Sequence, residues 1–161
     1  MLRLFKVAGA IVALGAASAF AAMPASAQLS PEEVGAVMED QGYDVEFTSL
    51  EDAEGPAISS FAGDLQFLIT FEACDEDGEA CELIVFRCGF AMDEADQPTL
   101  EDLNAWNTEN WGKATRDDVN DPWIVLEVNT VGGLSEDNII DTLMWWENLT
   151  TDFSDFIGYE P

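Results

Sequence analysis

Residues 65–72 and 83–90 are two apolar-rich runs, and they flank the polar turn Asp75-Glu76-Asp77-Gly78-Glu79-Ala80 between Cys74 and Cys81. A cystine joining those two cysteines sets the pairing of the whole hairpin, because directly opposed residues of an antiparallel pair keep a constant sum of positions. Phe71 then faces Ile84, Ile69 faces Phe86, Phe67 faces Cys88 and Leu65 faces Phe90. One face of the hairpin becomes almost wholly apolar. The other, carrying Leu68, Thr70, Glu72, Leu83, Val85 and Arg87, is mixed, as in an antiparallel sheet covered on one side only.

Helical and strand periods alternate on either side of this hairpin. Ser30-Pro31-Glu32-Glu33 opens a first helix with a capping residue, a proline at its first position and a glutamate placed for a capping box. Val34, Val37 and Met38 form its apolar stripe, and Gly42 stops it. Residues 43–47 alternate with period two, residues 51–56 read as a turn, and residues 57–61 as a second short strand. After a polar break at 93–98, Thr99 caps a second helix with Leu100, Leu103 and Trp106 on one face. Residues 113–117 predict a short strand and residues 117–122 a turn, ahead of the strand-like run 123–129. Ser135 caps a last helix in which Ile139, Ile140, Leu143, Met144 and Trp146 follow helical spacing. The order α-β-β-β-β-α-β-β-α predicts an α+β fold, helices packed on one face of an antiparallel sheet.

The first residues change the picture of where this domain begins. Arg3 and Lys6 precede an uncharged run from 7 to 22, and Ala25-Ser26-Ala27 has the small-x-small form of a signal-peptidase site. Residues 1–27 are therefore expected to be a cleaved secretory signal and 28–161 a single domain, exported to the periplasm. The apolar run is shorter than the roughly 20 residues that span a bilayer, so no membrane insertion is expected after cleavage. The chain carries 33 acidic residues against 5 basic ones, a net charge of −28, which becomes −30 once Arg3 and Lys6 are removed. Such a surface excludes binding to nucleic acid or to an anionic membrane by charge.

Export makes the cysteines legible, since disulfides persist in oxidising compartments. Cys74 and Cys81 are the expected pair, and Cys88 is left as a thiol on the apolar face. The chain has no histidine, which removes the commonest general base and imidazole metal sites. The acidic turn 75–79 fails as an EF-hand loop, because the first ligand position falls on Ala73 and the bidentate one on Ile84. No cofactor or metal is expected. Of the five tryptophans, Trp106 and Trp146 suit the core, while Trp111 and Trp145 are candidates for an exposed contact patch.

Gly42-Tyr43 after the first helix, Phe67, Phe71 and Cys74 on the outgoing strand, and Cys81, Phe86, Gly89 and Phe90 on the returning one form an ordered set. Together with Asn104-Ala105-Trp106-Asn107, Lys113-Ala114 and Gly132-Gly133, this set resembles the YbjN domain family from Leu29 to about Phe156. Arg87 and Cys88, beside Gly89-Phe90, depart from the smaller or more neutral residues expected there. The resemblance implies a bacterial sensory-transduction regulator with a fold similar to type III secretion chaperones, small proteins that often dimerise and bind other polypeptides. It carries over no catalytic residues. Asn104, Trp106 and Asn107 are its recurring signature, with the asparagines open to two readings, backbone bonding near a helix end or recognition.

The expectation is thus a non-catalytic, exported protein that binds a protein partner, or a second copy of itself, through Leu68, Leu83 and Val85 on the mixed sheet face or through the edge marked by Trp111 and Trp145. Two alternatives belong to other classes. One is an acidic cation-binding or stress protein without a specific partner, and the other a hydrolase using two of the carboxylates.

Overall fold

The computed structural model describes residues 29–49 and 55–160. The expected signal segment lies outside the described residues, as does most of the turn at 51–56. The elements follow the expected order: α1 (Pro31–Asp40), β1 (Glu46–Ser49), β2 (Pro56–Ala62), β3 (Leu65–Glu72), β4 (Leu83–Gly89), α2 (Leu100–Glu109), β5 (Lys113–Arg116), β6 (Pro122–Asn129) and α3 (Glu136–Ile157). All three helices open with a capping box, built on Ser30, Thr99 and Ser135. Each box satisfies amide groups that a helix start otherwise leaves unpaired.

The six strands form one antiparallel sheet in the order β1-β2-β3-β4-β6-β5. The central pairing has the register that the cystine demands, with Phe71 opposite Ile84 and Ile69 opposite Phe86. Cys74 and Cys81 are bonded, closing a loop in which Asp75 Oδ1 accepts from the Glu79 amide and Gly78 takes a φ of 78°. The same register continues outward, placing Ile58, Ile69, Phe86 and Leu126 in one row across four strands. That row and its neighbours form the apolar face against which the helices pack.

α3 supplies most of the helical side of the core through Ile139, Leu143, Trp146, Leu149 and Phe153. Trp146 packs against Phe86 and Phe67 at ring-centroid distances of 5.5 and 5.9 Å. Adjacent residues of a helix point about 100° apart, and the tryptophan pair divides accordingly, with Trp146 fully buried and Trp145 50% exposed. Leu100 and Met144, read as parts of apolar stripes, are exposed instead. The stripes are narrower than their apolar residues suggest, and α2 buries only Leu103 and Trp106.

Several strand boundaries also differ from expectation, β5 ending at Arg116 and β6 beginning at Pro122 among them. Residues 43–45 stay out of β1, because the Tyr43 amide donates to the Met38 carbonyl and its hydroxyl bonds Glu147 on α3. β2 begins at Pro56, one residue early, where an edge-proximal proline can open a strand.

β5 is the outermost strand, and its free side is partly closed by a side chain. Asn107 Nδ2 donates to the Ala114 carbonyl at 3.0 Å, and its Oδ1 accepts from the Ala114 amide at 2.7 Å. The carboxamide of α2 thus imitates one residue of a seventh strand, which protects an edge that would otherwise template pairing.

Replacing Cys74 and Cys81 together by alanine is expected to lower stability by about 2.5 kcal/mol, the chain-entropy value for so short a loop, read from urea unfolding as a lowered midpoint. Asn107→Ala is expected to lose about 1–3 kcal/mol, because the outward groups of Ala114 lose both partners. Hydrogen exchange at the Ala114 amide should accelerate in that variant before any global unfolding; unchanged exchange there would contradict the bonding role.

Candidate functional site

The outer face of the sheet is less open than its mixed composition suggests. Leu68 and Leu83 are half-buried, but Val85 is 1% exposed and Thr70, opposite it, 3%. The cause is an ion pair laid diagonally over them. Arg87 Nη2 reaches Glu72 Oε1 at 2.6 Å, and Thr70 Oγ1 donates to the same oxygen at 3.3 Å. Arg87 sits in the row of Leu68 and Glu72 in the row of Leu83, so the bridge spans the intervening Thr70 and Val85 row. Val85, read from the sequence as a contact residue, is therefore covered by the chain's own side chains. A second pair, Lys113 with Glu127 at 3.7 Å, lies farther along this face.

Trp111 and Trp145, distant in sequence, meet edge-on at a ring-centroid distance of 5.2 Å, and they are 56% and 50% exposed. α3 carries Trp145, and the chain leaving α2 for β5 carries Trp111. Together with residues 126–129 of β6 and Thr142 they enclose an open groove of about 680 Å³. Glu127 is the one ionisable side chain among its lining residues.

The three signature residues separate by role. Trp106 is buried, donates through Nε1 to the Gly112 carbonyl at 3.0 Å, and packs against Phe153 at 5.0 Å. Asn107 bonds the β5 backbone, the first of the two readings open to it. Asn104 is exposed, and its carbonyl accepts from Thr108 Oγ1 at 2.8 Å. Gly112, next to Trp111, lies so close to α3 that a Cβ there would come within 2.5 Å of Leu149.

Two titratable groups, one buried and one half-buried, lie apart from that groove. Cys88 sits in the core, donates to the Gln66 carbonyl at 3.3 Å, and has its thiol pushed up to about 12 by burial. Tyr43 is raised well above the usual phenol range, first by burial and then by its bond to Glu147. It lines a separate, polar cleft of about 420 Å³ between the end of α1 and α3. Among the described residues no three acidic, cysteine or histidine side chains converge as a metal site. No helix among them is long and apolar enough to cross a membrane.

Sequence reading missed the Arg87 and Glu72 bridge, because the hairpin register puts the two side chains on one face but two same-face rows apart, beyond the ordinary diagonal neighbour, and only their length closes the gap. It also missed the juxtaposition of Glu127 with the tryptophan pair. That juxtaposition depends on β6 entering the sheet beside β4 with β5 outside it, and no local pattern marks that choice.

Comparison with known proteins agrees with this architecture. No curated protein sequence matches the chain. The crystal structure of YbjN from E. coli, described as "a putative transcription regulator", superposes with a TM-score of 0.53 at 17% identity, covering 73% of this chain and 82% of that one. An uncharacterized protein from Methanothermobacter thermautotrophicus superposes with a TM-score of 0.53 at 15% identity, covering 78% of this chain and 95% of that one. The YbjN family profile, described as "Putative bacterial sensory transduction regulator", matches residues 30–158. With nearly all of the folded region matched, the chain belongs to the YbjN family.

Proposed function

We propose that this chain is an exported, non-catalytic regulator that acts by binding another polypeptide. The observation that carries this reading is the pair Trp111 and Trp145, two large aromatic side chains held against each other yet half exposed. Aromatic residues in such a position are typical anchors of protein interfaces. The family description as a regulator and the lack of histidine support the same reading. A net charge of −28 directs it toward a protein partner and away from direct contact with DNA, whose phosphates would be repelled. Export to the periplasm rests on the signal-like segment at residues 1–27.

Capture of partners by cross-linking, at low and high salt, tests this reading. A partner retained at high salt by the native protein, and lost by a variant without the cystine, is the expected outcome. Recovery of salt-sensitive basic proteins alone would overturn it in favour of a cation-binding or solubility role. Leu68→Ser with Leu83→Ser is expected to leave capture intact, because the ion pair over Val85 already closes the middle of that face; loss of capture would move the contact to the outer sheet face.

The buried thiol gives a chemical check on the non-catalytic reading. Cys88 is expected to resist iodoacetamide at neutral pH until the protein unfolds, since the thiolate is the reactive form. Its raised pKa also sets a sign. Unfolding releases the proton near the ordinary value of 9.0 and the native state holds it to about 12, so stability present below pH 9 falls as pH rises through that window. Cys88→Ala should flatten the first part of this decline in urea titrations. Rapid native labelling would point to a redox role instead.

A further inference from the structure

β5 stops short of its neighbour. It pairs with β6 only from Lys113 opposite Val125 to Arg116 opposite Pro122, whereas β6 continues to Asn129 and stays paired with β4 that far. Among the described residues, positions 126–129 of β6 therefore have a strand neighbour on one side only.

Ladder parity identifies the polar groups facing the vacant side. Both backbone groups of Ala114 turn outward to Asn107, so Ala114 and Ile124 are a pair without mutual hydrogen bonds. Hydrogen-bonded and non-bonded pairs alternate along an antiparallel ladder. Trp123 and Val125 thus point their backbone groups at β5, Leu126 and Val128 at β4, and Glu127 and Asn129 into the space that β5 leaves empty. The same parity places the Glu127 side chain on the outer face and Leu126 on the helix side, where Trp111 and Trp145 wall the groove.

We propose that this half-edge is a strand-addition site, taking an extended polypeptide segment in line with β5 in which basic and aliphatic residues alternate. The proposal rests on the polypeptide-binding reading above and gives it a place and a mode. The residue opposite Glu127 shares its face, so a lysine or arginine there meets the carboxylate. Its neighbours turn to the other face and lay aliphatic side chains on the tryptophans. Charge decides between this occupant and a second copy of the chain: two molecules at −28 repel each other, whereas a basic segment is drawn in.

The test uses the purified protein and a synthetic peptide of alternating lysine and valine with blocked ends, titrated by isothermal calorimetry in about 0.15 M salt, where the screening length is about 8 Å. In the proposed pairing the lysine amides face β6 and the valine amides face solvent. Backbone N-methylation of the lysines should therefore weaken binding more than tenfold, and N-methylation of the valines less than threefold. Trp111→Ser with Trp145→Ser should weaken binding more than tenfold with an unchanged circular dichroism spectrum, since both side chains are exposed. Absence of binding by the parent peptide, or equal binding of both methylated forms, overturns the site. A dimer in sedimentation that the double tryptophan variant dissolves would assign the edge to a second copy and also overturn it. If that variant captures the same salt-resistant partner as the native protein, this site is wrong while the polypeptide-binding reading stands; if the native protein captures none, it is that reading which fails.

Discussion

Everything in the sheet is referred to the pairing of β3 with β4. These strands hold the middle, and their register keeps the apolar sets of both on one face, because a slip by one residue would set Phe67, Ile69 and Phe71 on the face opposite to Ile84 and Phe86. The cystine fixes that register at the hairpin tip. Its influence reaches β6 through Thr130, whose hydroxyl donates to the Cys81 carbonyl and whose amide donates to the Glu82 carbonyl. The end of β6 is thereby tied to the base of the cystine loop, and the Ile84 and Val128 row falls into place behind it.

The placement of α2 explains the weak side of this design. The chain leaves β4, forms α2, and returns as β5 before β6 occupies the slot beside β4, so β5 must lie outermost. Only four residues of β5 pair, and the segment before them is committed to packing, with Trp106 bonded to Gly112 and Gly112 pressed on Leu149. The strand cannot begin earlier without breaking those contacts. One consequence is the asparagine that closes the outer side of β5, and the other is the length of β6 left without a neighbour.

Much of this was legible in the sequence, and the limits have physical causes. Element order, capping residues and hairpin register follow from local spacing, which the structure reproduces from Ser30 to Ser135. The division of Trp145 from Trp146 follows from helix geometry alone. Less legible were features requiring two distant segments to meet. Tyr43 leaves the strand pattern because Glu147 and Met38 hold it, and Val85 reads as a surface residue until Arg87 and Glu72 close over it. For the candidate site, sequence singled out Trp111 and Trp145 by their surplus over what the core needs. It gave no sign that they flank an incomplete strand, since that depends on the strand order.

The same strand order gives the few cations a particular distribution. Arg87 and Lys113 are each drawn to a carboxylate on the outer face, where they lower the local negative field and help to cover the sheet. Lys113, the first residue of β5, meets Glu127 where β6 begins to run alone. Both side chains of that pair are more than half exposed, and exposed pairs contribute little net stability. A competing cation can therefore displace Lys113 with little loss to the fold. For the proposed basic segment, long-range attraction at this edge would govern encounter and short-range apolar contact with the tryptophans would select what remains bound. An acidic surface alone would supply encounter without selection. The position of Glu127 beside Trp111 and Trp145 is what joins the two.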